Sequence, residues 1–342
     1  MAGKRYFENQ FDDFSSNSTY DFFRQSEDGI SEKFSTKLKD YKSEKLSNLV
    51  CKPGKEIFHH DGTVYTGSTG LAYYYLMSSL SKDEGCNENL LNALQYIDLN
   101  SLKGRRISFL CGDAGPLAIA TVISFKLGIS RPDTLPEYGT IAQSPLLWQW
   151  HEKVYLGAAH GVAGILYLLL QTRAYIDVKD IQDLIKPAVD WLLNQQFPSG
   201  NYPSSLGSSS GDKLVQWCHG APGFVPLCLL AYQVFEQEKY LKIAIECGEV
   251  IWQRGLCKKG YSLCHGVSGN AYGFLQLYQA TKKKLYIHRA CCFMEWCVLE
   301  HPGTEQHPPD RPASLFEGVI GPICLAEAIM HPLQSKFPAF CL

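Results

Sequence analysis

Apolar positions along the chain fall into two recurring patterns. Six segments are apolar on nearly every side: LAYYYLMSSL, PLAIATVISF, ILYLLLQ, FVPLCLLAYQVF, NAYGFLQLY and PICLAEAIM. Such segments read as helices covered all round by other helices. Between them lie amphipathic stretches at helical spacing. Examples are 180–197 (DIQDLIKPAVDWLLNQQF) and 239–255, where Leu241, Ala244, Ile245, Gly248, Ile251 and Trp252 mark one face. No stretch alternates with the period of a strand. The pattern predicts an all-α chain whose unit is inner helix, turn, outer helix, loop.

Each apolar segment opens on Gly-x-x-Gly. The six copies start at Gly67, Gly112, Gly161, Gly220, Gly266 and Gly318, at intervals of 45, 49, 59, 46 and 52 residues. Units of that size, each burying one apolar helix, predict an α/α toroid or a solenoid. Glycines three apart share a helix face, so a neighbouring backbone can approach closely there. They are also expected to leave the first-turn N–H groups accessible at the positive end of each helix dipole. Packing alone is the competing explanation for the motif. Residues 1–30 are polar with scattered aromatics and read as a flanking arm. Residues 128–145, rich in proline and glycine, read as a loop. The whole chain, 1–342, is expected to form a single toroid domain.

Registering the copies on their first glycine brings a column of reactive side chains into view. Immediately before that glycine stand Thr66, Cys111, His160, His219, His265 and Glu317. One position earlier stand Tyr65, Leu110, Ala159, Cys218, Cys264 and Phe316. Equivalent inner helices of a ring would gather these residues on one rim. Thiolate plus imidazole is a zinc ligand set, and two Cys with one His leave a fourth tetrahedral position open. The alternative is that the cysteines are small buried residues and the histidines cap helix N-termini.

Composition narrows the classes. The chain is 45% hydrophobic and 19% charged, enough for a large core. A net charge of -2 gives no basic footprint for nucleic acid. The first residues lack the apolar stretch of a secretory signal, and no apolar run reaches the ~20 residues of a membrane span. A cytoplasmic protein is therefore expected, a location compatible with peripheral membrane association. The thirteen cysteines are then expected as free or metal-bound thiols.

The segments ISFLCGDAGPLA, VYLGAAHGVAG, FPSGNYP, WCHGAPG, KKGYSLCHGVSGNAY, SLFEGVIG and the terminal KFPAF resemble the eukaryotic LanC-like proteins, relatives of bacterial lanthionine cyclases. The resemblance runs from the arm to the last residues. It implies an α/α toroid, a double-layered helical barrel of seven inner and seven outer helices, with zinc on Cys218, Cys264 and His265. It further implies a glutathione transferase that adds the thiol to dehydroalanine or dehydrobutyrine residues of peptides and proteins. In that reaction His160 would be the general acid, and Lys259 would contact glutathione. The family arginine ahead of SLFEG falls on His307, with Arg311 nearby to supply the charge. Six Gly-x-x-Gly units stand where the family has seven, and the missing one would fall between Gly115 and Gly161.

Other classes have their own signatures. A zinc- and glutathione-binding adaptor without turnover would need the same ligands. A prenyltransferase-type toroid would need an Asp beside the Cys and His. A toroidal glycosidase would need paired carboxylates, and only Asp113 and Glu317 lie near the rim, both at helix N-termini.

Overall fold

The structure, a computed structural model, describes residues 4–15, 20–23, 29–50, 58, 61–79, 86–98, 111, 116, 119–120, 123, 144–148, 153–208, 211–299 and 309–341. Among them lie ten helices of the two predicted kinds. The inner ones are α2 (Ser68–Ser78), α4 (Val162–Gln171), α6 (Ala221–Phe235), α8 (Val267–Thr281) and α10 (Ile320–Met330). The outer ones are α1 (Glu32–Val50), α3 (Cys86–Gln95), α5 (Lys186–Leu193), α7 (Glu238–Arg254) and α9 (Lys284–Val298). Each inner helix packs on the outer helix that follows it, except α10, which no outer helix follows among the described residues. The N-terminal α1 covers α10 instead, and Lys42 of α1 pairs with Glu327 of α10. Inner helices also pack side by side in the order α4, α6, α8, α10, α2, which joins the last unit to the first.

Backbone hydrogen bonds record that ring. Cys218 N–H donates to Cys264 O (3.0 Å), Cys264 N–H to Phe316 O (2.8 Å) and Phe316 N–H to Tyr65 O (3.2 Å). All four belong to the column two residues ahead of the repeat glycine, so the register read from the sequence is the register of the rim. At Gly70, Gly223 and Gly321 the second glycine of the motif also meets the neighbouring unit. A Cβ on Gly70 would lie 2.6 Å from Val64 O and 2.7 Å from Leu315 Cβ, so the last-to-first contact needs a bare backbone. The second Gly-x-x-Gly copy and most of the interval that would hold a seventh unit lie outside the described residues.

Local predictions are corrected in three places. The 180–197 segment is interrupted: a helical turn Val178–Asp180 and a π-helical turn Ile181–Ile185 precede α5. Pro187 lacks the N–H that would bond to residue 183, and a wider turn absorbs the loss. On α7 the buried face is Tyr240, Ala244, Cys247, Gly248, Val250 and Ile251, with Leu241, Ile245 and Trp252 at its half-buried edges. The first-turn N–H groups are not open. Val162, Ala163 and Gly164 donate to Tyr155, Leu156 and Gly157, and Val267, Ser268 and Gly269 donate to Gly260, Tyr261 and Ser262. At the Gly161 and Gly266 copies the motif lets the preceding loop fold back onto its own helix start, so packing is what the motif does there.

Residues 337–340 pack against aromatic side chains of three inner units. Phe337 stacks on Trp217 (4.8 Å between centroids) and lies 5.0 Å from Tyr272, while Phe340 stacks on Tyr167 at 4.7 Å. Trp217 directly precedes Cys218, so this aromatic cluster buttresses the residue next to the rim cysteine.

The arm docks against the outer layer. Arg289, buried on α9, holds Asp13 of the arm at 2.6 Å and Glu249 of α7 at 2.7 Å. Next to it the buried His288 ring places Nε2 3.0 Å from Asp12 O, while its Nδ1 has no hydrogen-bond partner among the described residues. Burial lowers its pKa, only partly offset by the Asp12 carbonyl and by Asp13. The unfolded imidazole, near ~6.5, takes up a proton before the folded one does. Stability is thus full above that value and is lost as pH falls below it. Melting temperatures at pH 7.5 and 5.5 are expected to differ less in His288→Gln than in the wild type; an equal difference would remove His288 as a source of acid sensitivity.

Candidate metal centre

The two Cys-His-Gly triplets sit at the N-termini of α6 and α8, each held by a braced loop. Ahead of α6, the buried Asn201 donates to Asp212 Oδ1 (2.8 Å) and Leu214 O (2.9 Å) and accepts from Ala221 N–H (2.8 Å). Arg254 grips both Asp212 oxygens at 3.0 Å. Burial pushes the Asp212 carboxyl up, but the hydrogen bonds from Arg254, Ser199 and Asn201 outweigh it and hold it below the usual value. Gly220 then turns with φ of 122°, a region essentially reserved for glycine, and a Cβ there would lie 2.3 Å from Leu214 O. Asn270 of α8 donates to Val215 O and Gly255 O, tying the two loops together. These braces hold the triplets of adjacent repeats side by side.

Cys218 Sγ, Cys264 Sγ and a His265 ring nitrogen all lie within 4.8 Å of one another. Among the described residues, this is the one group of three or more metal-ligating side chains so arranged. A tetrahedral zinc with Zn–S of about 2.3 Å and Zn–N of about 2.0 Å needs ligand atoms roughly 3.5–3.8 Å apart. The cluster is compatible with that geometry. Both cysteines are buried, and burial together with the neighbouring Cys218 pushes the Cys264 thiol well up, against a smaller opposing pull from His265. Two touching sulfurs in so dry a place ionise together only with a cation between them, and soft sulfur with imidazole is a zinc donor set. The residues fit the ion.

The remaining rim residues arrange themselves around this group. His219 stands outside the ligand set. Burial, then the nearby His160 and His265, lowers its pKa to about 4, and its Nδ1 is buried without a hydrogen-bond partner among the described residues. His160 neighbours it, the two ring centroids 6.5 Å apart, and burial lowers its pKa too. Cys111 is half-buried and does not join the cluster. Lys259 is exposed and Arg311 half-buried, neither engaged in an ion pair among the described residues. His307 lies outside the described residues.

One residue at the centre escaped the sequence reading of the site. The Tyr65 hydroxyl lies 2.6 Å from Cys264 Sγ. Burial, reinforced by Cys264 and Cys218, holds that phenol far above its usual range, so it stays a donor. Its signal was its column: Tyr65 occupies in the first repeat the position that Cys218 and Cys264 occupy in the fourth and fifth.

A ring of helical hairpins with a two-thiol, one-imidazole cluster on its rim defines a toroid protein with a candidate metal centre. Residues 133–342 match the family described as lanthionine synthetase C-like protein. The chain is 35% identical to the glutathione S-transferase LANCL1 of Danio rerio over 409 aligned positions, covering 99% of this chain and 100% of that one. It is 42% identical to the LanC-like protein GCL1 of Arabidopsis thaliana over 202 positions, 57% of this chain and 45% of the other. Nisin cyclase shares the fold at 17% identity, with a TM-score of 0.50 over 88% of this chain and 82% of that one. The chain belongs to the LanC-like family, and its architecture is the α/α toroid.

Proposed function

We propose that this chain is a zinc-dependent glutathione transferase of the cytoplasm, adding the glutathione thiol to dehydroalanine or dehydrobutyrine residues of peptides or proteins. The observation that carries this reading is the Cys218–Cys264–His265 cluster, with His160 a ring's distance from His219, the neighbour of Cys218 in the chain. The relative named glutathione S-transferase supports the choice of thiol. Zinc held by the three ligands would supply charge that keeps a substrate sulfur ionised at neutral pH.

The chain's own residues would do the rest. His160, neutral because burial lowers its pKa, accepts the proton that the thiol gives up. The sulfur then bonds to the β-carbon of the dehydroamino acid, and the double-bond electrons move onto the α-carbon and its carbonyl. His160 returns the same proton to the α-carbon, so the cycle closes without net gain or loss. Lys259 and Arg311 would pair with the glutathione carboxylates, as would His307 when protonated.

A dehydroalanine peptide incubated with glutathione tests this reading by mass spectrometry. The zinc-loaded protein is expected to accelerate appearance of the glutathione adduct over the protein-free rate. Glutathione binding without any acceleration would replace the transferase by a non-catalytic adaptor.

A further inference from the structure

We propose that Tyr65 is a positioning residue of the metal centre, its hydroxyl donating to the Cys264 sulfur and so making metal affinity depend on closure of the ring. This inference rests on the metal reading of the cluster and adds a residue that the ligand set does not contain.

Three contacts hold Tyr65 in place. Its hydroxyl reaches Cys264 Sγ at 2.6 Å. Its ring stacks on Phe316, with centroids 5.1 Å apart and planes 10° from parallel. Its carbonyl accepts the Phe316 N–H at 3.2 Å. The side chain is thus fixed at its tip, along its ring and at its root. The two sulfurs are not treated alike: the partner of Cys218 is the Gln216 amide oxygen, a weak contact at 3.7 Å.

A hydrogen bond into a thiolate settles part of its charge and aims its lone pairs, which is how groups behind a ligand tune the ligand itself. Removing such a partner costs roughly 10–100-fold in metal affinity. The donor here comes from the first repeat and its ring is braced by the last, while the sulfur belongs to the fifth. A rim opened between the last and first repeats would carry the hydroxyl away from the metal ligand. The metal site therefore spans the seam of the ring.

Tyr65→Phe keeps the stacked ring and deletes only the donor. Zinc affinity, read by competition with a chromophoric chelator, is expected to fall about 10–100-fold, and the thiolate-to-metal charge-transfer band of the Co2+ form is expected to shift. Phe316→Leu, which loosens the brace and leaves both sulfurs, is expected to weaken zinc in the same direction by a smaller factor. The band reports the sulfur directly, so a merely structural Tyr65 would not move it. Affinity within about twofold of the wild type together with an unshifted band in Tyr65→Phe would overturn the proposal while leaving the metal site intact. Absence of zinc and cobalt uptake by the wild type would overturn the metal reading and this proposal together.

Discussion

Cys264→Ala is expected to abolish zinc binding while leaving the ring folded. The substitution removes one of three ligands and leaves a buried sulfur and an imidazole that cannot enclose the ion. It also strands the Tyr65 hydroxyl, which loses its acceptor in a buried place. The expected loss exceeds the roughly 100-fold that a supporting residue costs. The fold should survive because the rim hydrogen bonds at this position, to Phe316 O and from Cys218 N–H, belong to the backbone. Metal analysis after gel filtration should find about one zinc per wild-type chain and essentially none in the variant. Cys228→Ala, which removes a thiol buried in α6 away from the cluster, should keep its zinc. Retention of zinc by Cys264→Ala would refute the ligand assignment.

His160→Ala is expected to slow adduct formation by about 10²–10⁴-fold, the usual weight of a positioned acid–base group, with zinc still bound. His160 stands apart from the ligand set and next to His219, so its loss leaves the metal ligands untouched. Burial lowers its pKa, which makes the neutral ring available to take a thiol proton and the protonated ring a ready donor to carbon. The separation of effects is the diagnostic: rate lost, metal kept. The measurement is turnover of the dehydroalanine peptide beside metal content, with free imidazole added to restore part of the rate. An unchanged rate would remove His160 from the chemistry.

Much of the site was legible in one dimension because a repeat makes sequence distance uninformative and register informative. Cys218 and Cys264 are 46 residues apart, a spacing that belongs to no local zinc motif. Counted from the repeat glycine they share a column, and that column is a run of backbone hydrogen bonds from Cys218 to Tyr65. The opposite fate met the helix N-termini. Gly-x-x-Gly suggested open N–H groups at the rim, but ahead of α4 and α8 the preceding loop folds back and takes those donors. Local sequence could not announce this, because the carbonyls that close the first turn lie about seven residues upstream in irregular backbone.

Hydrophobic period and glycine register by themselves determined the helical hairpins, their order and the gathering of the two Cys-His-Gly triplets. These depend on which face of each unit is apolar and on where each unit starts, and both are written locally. Only the tertiary structure decided which distant parts meet: the Tyr65 hydroxyl and Cys264 across the seam, Phe337 and Phe340 against Trp217, and Arg289 drawing the arm onto the outer layer. The physical reason is common to all three. Each contact joins positions far apart in the chain, which become neighbours only when near-equivalent units pack side by side around a ring.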